Sequence, residues 1–170
     1  GERVLLTVSD SGAGIAPEHW RKVFDVNLFG VVHGVHAAVP HMRKAGRGRI
    51  VNVASLAGLG AAPGMFAYGA SKHAVVGLSR TLDAELWHEG IRVTVICPSF
   101  VMTPIFQNAE GIRVEEKDFL AALPFPPISA EACASEALDG VESGRLHVVL
   151  PGSARLIERR GCSVEIAANG

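Results

Sequence analysis

Cysteine is scarce in this chain of 170 residues. There are three, Cys97, Cys133 and Cys162, odd in number and far apart. A disulfide-built scaffold needs a denser, even set, so they read as reduced thiols. Neither sign of charge is in excess: 16 Lys plus Arg face 17 Asp plus Glu, for a net charge of −1. That leaves no basic footprint for nucleic acid. No apolar run reaches membrane-spanning length, and no signal-peptide pattern opens the chain. The expectation is a cytoplasmic protein with no nucleic-acid or membrane partner. Internal repeats, low-complexity tracts and linkers are missing as well. The length suffices for one core, and 1–170 is read as a single domain. His33, His36 and His41 sit on or near the long helix, where a His-x-x-His pair can bind metal, but no carboxylate or cysteine accompanies them at ligand spacing, so no metal site is expected.

What is present is chemically pointed. Tyr68 and Lys72 stand one helical turn apart in YGASKHAVVGLSRTLDAEL, and Ser55 precedes the tyrosine by 13 residues. Positions i and i+4 share a helix face, which sets an ammonium beside a phenol. A free phenol titrates near ~10; a neighbouring cation favours its ionised form and brings it toward useful acid–base work. A serine hydroxyl close by can hold the oxygen of a carbonyl or alcohol. The pattern proposes proton transfer at a C–O centre. The spacing alone also describes an ordinary surface lysine lying over a ring.

Periodicity supplies the frame. Strand-like runs fall at Val4–Val8, Arg49–Val53, Arg92–Ile96 and His147–Leu150, with a long helix from about Pro17 to Lys44 and a second from about Tyr68 to His88. Alternating strands and helices imply right-handed crossovers and a parallel sheet. In the long helix Trp20, Val23, Phe24, Leu28, Val31, Val35, Ala38 and Met42 form an apolar stripe. Asn27 falls inside it and needs a hydrogen-bond partner there. Pro40 should kink or end the helix, and Gly46 and Gly48 mark the turn. Residues 99–129 form a long loop with Phe100, Phe106, Phe119 and Phe125, of a length usual for lids or binding segments. Ser129 is placed to cap a helix running to Val141.

Together, WRKVFDVNLFGVVHGVHAAVPHM, GRIVNVASLAG, the Tyr68 helix and GIRVTVICPSFVMTP resemble the short-chain dehydrogenase/reductase family from about Trp20 onward. The resemblance implies an α/β fold with a partial doubly wound, Rossmann-like parallel sheet. It implies hydride transfer between NAD or NADP and a small alcohol or carbonyl substrate. Tyr68 would be the acid/base and Ser55 would orient the substrate oxygen. Lys72 would bind the nicotinamide ribose. Asn27 would position a relay water through its main chain at a distortion of the long helix. Tyr68, Lys72, Pro98, Val101 and Thr103 would contact the cofactor, although Ser99 stands where the family has glycine. The long loop becomes a substrate lid whose aromatics favour an apolar substrate, unless they simply cover core. The long helix and the Tyr68 helix would pair subunits into a homodimer or homotetramer.

The front of the chain fits less well. The family's first strands and its glycine-rich phosphate turn are not found, so the chain reads as the back two thirds of a longer protein with impaired cofactor binding. Ala13-Gly14 can stand for the end of the family's Asn-Asn-Ala-Gly segment, without its asparagines. VLLTVSDSGAGIAPEHWRKVFD also resembles the glycine box of histidine-kinase-type ATPases, with Asp10 facing adenine and Pro17, Glu18 and Phe24 matching its continuation. Residues 1–25 are therefore an atypical segment. They are read either as a diverged or deleted dehydrogenase segment, or as a fusion or sequence artefact with the join between about Ala16 and Asp25. A non-catalytic remnant or an ATP-binding fusion stands as the alternative function.

Overall fold

In a computed structural model of the chain, residues 16–61, 64–103 and 127–151 are described, together with strands at 154–159 and 163–168. The expectations for Val4–Val8, the glycine box, Cys162 and most of the lid lie outside them.

A single 29-residue helical stretch, Pro17–Ala45, opens the described part. It comprises α1 (Pro17–Phe24), a π-helical turn (Asp25–Phe29) and α2 (Gly30–Ala45). The stretch is long and apolar enough, by length and composition, to cross a membrane. This corrects the reading that no run reaches that length. Polar residues interrupt the apolar run in sequence, yet the helix that carries it is continuous. The predicted stripe is the inner face: Trp20, Val23, Phe24, Leu28, Val31, Val35, Ala38 and Met42 are all half-buried, and the last five except Ala38 pack on the core. Pro40 lies inside α2, which runs on to Ala45. His36, whose carbonyl loses a partner to the proline, is exposed with Pro40, so water can satisfy it. The stop comes instead from Gly46, at φ 66°, a left-handed conformation that glycine adopts without penalty.

Strand β1 (Gly48–Val53) follows, then α3 (Phe66–Leu86) and β2 (Ile91–Pro98). A two-residue pair, β3 (Val101–Met102) with β4 (Ile128–Ser129), leads into α4 (Ala130–Glu142), β5 (His147–Leu150) and a hairpin of β6 (Ala154–Arg159) and β7 (Ser163–Ala168). The main sheet is parallel, ordered β1-β2-β5, as the α/β reading requires. Ser129 caps α4 as expected, accepting from the Ala132 N–H at 3.1 Å.

Side chains alternate across a strand, and this sorts the core into two faces. Ile50 of β1 and Ala54 just after it side with Val93, Val95 and Cys97 of β2, covered by Val39 of α2 and by Val75, Val76 and Leu86 of α3. On the opposite face Ile96, Val148 and Leu150 pack under Ala137 of α4. Cover runs out there at β1, leaving Val51 and Val53 42% and 54% exposed. Gly48 N–H bonds Gly90 O and Ala54 N–H bonds Ile96 O. By ladder alternation, the backbone groups of Arg49, Val51 and Val53 point away from β2. Among the described residues β1 is therefore an open edge, flanked by a groove of about 490 Å³ that α2 also lines.

Candidate active site

The C-terminal ends of parallel strands are where α/β sheets gather their chemistry, and the selected residues converge there. Ser55 follows β1 in extended backbone and caps the short 3-10 turn Leu56–Gly58, its Oγ accepting from the Ala57 N–H at 3.2 Å. The same Oγ lies 3.5 Å from the carbonyl oxygen of Pro98, the last residue of β2. Tyr68 and Lys72 rise from the first turns of α3, both half-buried. Lys72 Nζ sits 5.6 Å from the centre of the Tyr68 ring and donates to Val53 O at 3.3 Å. Tyr68 is the chain's only tyrosine.

Burial pushes the Lys72 ammonium below its usual range, offset in part by the Cys97 sulfur. Among the described residues no carboxylate pairs with it. A partly desolvated cation without an anion is suited to neutral acceptor oxygens such as those of a sugar diol. In this respect the residues present fit a nicotinamide ribose. Cys97 is fully buried beneath Ser55, and desolvation drives its thiol up to about 11. It is therefore a core residue rather than a nucleophile.

Asn27 lies in the π-turn, the distortion expected of the long helix, where Gly30 N–H reaches back to Asp25 O. Its side chain is satisfied: Nδ2 donates to Ser71 Oγ at 3.1 Å. Val101 is half-buried and Thr103 exposed. The loop they begin, with Phe106, Phe119 and Phe125, continues outside the described residues. No cluster of three metal-ligating side chains occurs among the described residues. A groove runs along β1, and its lining includes Asn52 and Val53 but not Tyr68.

Two site residues escape a reading by motif. Ser71 is completely buried between Tyr68 and Lys72. Gly58 lies so close to α3 that a Cβ on it would stand 2.6 Å from Lys72 O. A glycine three residues after Ser55 was the available signal for the second. Nothing local marks the first, whose partner is 44 residues away.

The family model described as short chain dehydrogenase matches residues 7–111. Among curated proteins, the D-beta-hydroxybutyrate dehydrogenase of Rhizobium meliloti (strain 1021) is 42% identical over 91 residues, covering 54% of this chain and 35% of that protein. The cyclohexanol dehydrogenase of Acinetobacter sp. (strain SE19) is 40% identical over 113 residues, 65% of this chain and 45% of that one. The alignments thus span less than half of these relatives. Among solved structures, a short-chain dehydrogenase from Sphingobium yanoikuyae in complex with NADPH superposes with a TM-score of 0.71 at 26% identity, over 85% of this chain and 53% of that one.

Proposed function

The chain belongs to the short-chain dehydrogenase family, and on that premise we propose that it serves a nicotinamide-dependent oxidoreductase interconverting a secondary alcohol and its ketone. The observation that carries the reading is Lys72, half-buried against Tyr68 with no carboxylate among the described residues. Holding a cation there costs stability and suits a ribose. NAD or NADP, when bound, supplies or accepts the hydride. The Tyr68 phenol gives a proton to the ketone oxygen, or, as the phenolate, takes one from the alcohol. Ser55 Oγ holds the same oxygen. Lys72 orients the ribose hydroxyls, and Asn27 places a water through its main chain. Pro98, Val101 and Thr103 line the carboxamide side. The two relatives' names, hydroxybutyrate and cyclohexanol, are both secondary alcohols, which supports that substrate class.

Finer points belong to the same proposal. A homodimer or homotetramer built on the long helix is supported by the exposure of Val26 and Phe29 on its outer side, 69% and 46%. A cytoplasmic setting is supported by Cys97 and Cys133, which are free thiols.

The test is a fluorescence titration with NADH and NADPH, followed by turnover of cyclohexanol and 3-hydroxybutyrate. Saturable binding that is lost in Lys72→Ala and indifferent to Mg-ATP is expected. Tyr68→Phe should keep the fold and lower turnover by about 10²–10⁴-fold, the span of a lost general acid–base group. Turnover unchanged in Tyr68→Phe would remove that residue from the mechanism. A folded chain that binds neither cofactor would leave the non-catalytic alternative standing.

A further inference from the structure

Two asparagines are tied to α3 by the same chemistry. Ser71 Oγ donates to Tyr68 O at 2.7 Å and accepts from Asn27 Nδ2 at 3.1 Å. Two turns further along, Ser79 Oγ donates to Val75 O at 2.7 Å and accepts from Asn52 Nδ2 at 2.9 Å. Both serines are completely buried. A hydroxyl has one proton, and here it is spent on the serine's own helix. Only lone pairs remain to face the asparagine, so the amide must offer its NH₂ and turn its Oδ1 away. The orientation of each amide follows from this accounting.

The ties differ in what they hold. Asn52 belongs to β1 and fastens the middle of α3 to the sheet. Asn27 sits in a π-turn, a rare single-turn insertion within an α-helix. Its bond to Ser71 joins that turn to the stretch of α3 between Tyr68 and Lys72.

We propose that Ser71 is a positioning residue, which holds the π-turn in register with Tyr68 and Lys72 so that Asn27 presents its main chain to the site. The inference builds on the oxidoreductase reading for its catalytic meaning but not for its structural content. Ser79 is the internal control: it has the same side chain, burial and bonding pattern, and it lies off the site.

Backbone amide exchange, followed residue by residue by NMR in the full chain, separates the two roles. In Ser71→Ala the amides of Asn27 to Gly30 should exchange about tenfold faster than in Ser79→Ala, as expected when one buried bond is lost locally. Asn27→Ala should give the same pattern, and the double variant should add nothing, since both remove one interaction. Should Ser71→Ala fail to fold, Asn27→Ala carries the comparison, because its side chain is only half-buried. NADH affinity should weaken several-fold in Ser71→Ala relative to Ser79→Ala, a difference that a purely structural serine would not produce. Equal exchange at the π-turn in the Ser71 and Ser79 variants overturns the proposal while leaving the oxidoreductase reading intact. A wild-type chain that does not bind NADH overturns the positioning of the site by Ser71 together with that reading, and the exchange pattern still decides whether the tie exists.

Discussion

Replacing Gly58 by alanine puts a methyl group where the structure has no room. The added Cβ would lie 2.6 Å from Lys72 O, 2.8 Å from Lys72 C and 3.1 Å from Val76 Cγ2. The first two atoms are helix backbone and cannot swing aside, so the turn after Ser55 must back away from α3 by about 0.8 Å to reach ordinary contact. Two effects compete. Alanine restricts the unfolded chain, a gain of about 0.4–1 kcal/mol where the backbone allows it. Overpacking costs about 1–3 kcal/mol and should win. At about 2–4 °C per kcal/mol for a chain of this size, the melting temperature should fall by several degrees. The displacement also matters for chemistry, because a misplacement near 1 Å can cost about 10²-fold in rate. Turnover should therefore drop much further than stability. Gly77→Ala supplies the contrast. A Cβ there meets nothing within 4 Å, and removing a mid-helix glycine should add about 0.5–1 kcal/mol. Circular dichroism melts of the two variants beside wild type decide the matter. If Gly58→Ala melts at or above wild type, the packing argument fails.

Lys72→Met should raise the melting temperature at neutral pH while destroying cofactor binding, since burial disfavours the charged amine in the folded state. Its folded value lies below the unfolded one, so the cost is fully present at neutrality and fades as pH rises toward 10.5; melts at pH 7 and pH 10 test this, and a destabilised Lys72→Met would contradict it. His147 is held below its usual 6.5, chiefly by burial and then by Arg80, whose Nε donates to it at 2.8 Å. As pH falls below about 6.5 the unfolded chain takes up this proton first, so stability is lost on acidification; a drop in the urea midpoint between pH 7.5 and 5.5 that shrinks in His147→Gln is expected. Ser129→Ala should cost about 1 kcal/mol, read by urea denaturation, through loss of the α4 cap.

Elements with a strong period were readable in advance. His147–Leu150 and the stripe from Trp20 to Met42 lie where alternation and helical spacing put them. Ser129 declared α4 by its cap. Pro40 misled, because its cost depends on whether the orphaned carbonyl meets water, which only the fold decides. The pair β3 and β4 is two residues long, too short to carry a period. At the site, Tyr68, Lys72 and Ser55 were legible from type and spacing. Ser71 was not, since a buried serine in a small-residue helix looks like packing until its partner arrives from 44 residues away. Gly58 was visible as a glycine but not as a contact, for the same reason: closeness across chain distance leaves no local mark.

Among the described residues no strand pairs with the outward-facing groups of Arg49 and Val51 in β1, and this has a thermodynamic consequence. A strand added to that edge would bind the folded chain and not the unfolded one. Its contribution to stability would then grow as the logarithm of its concentration, about 2.7 kcal/mol at a hundred times its Kd. Melting temperature in such a molecule reports on the surrounding solution as well as on the chain, and a dilution series would reveal how much of the stability is borrowed.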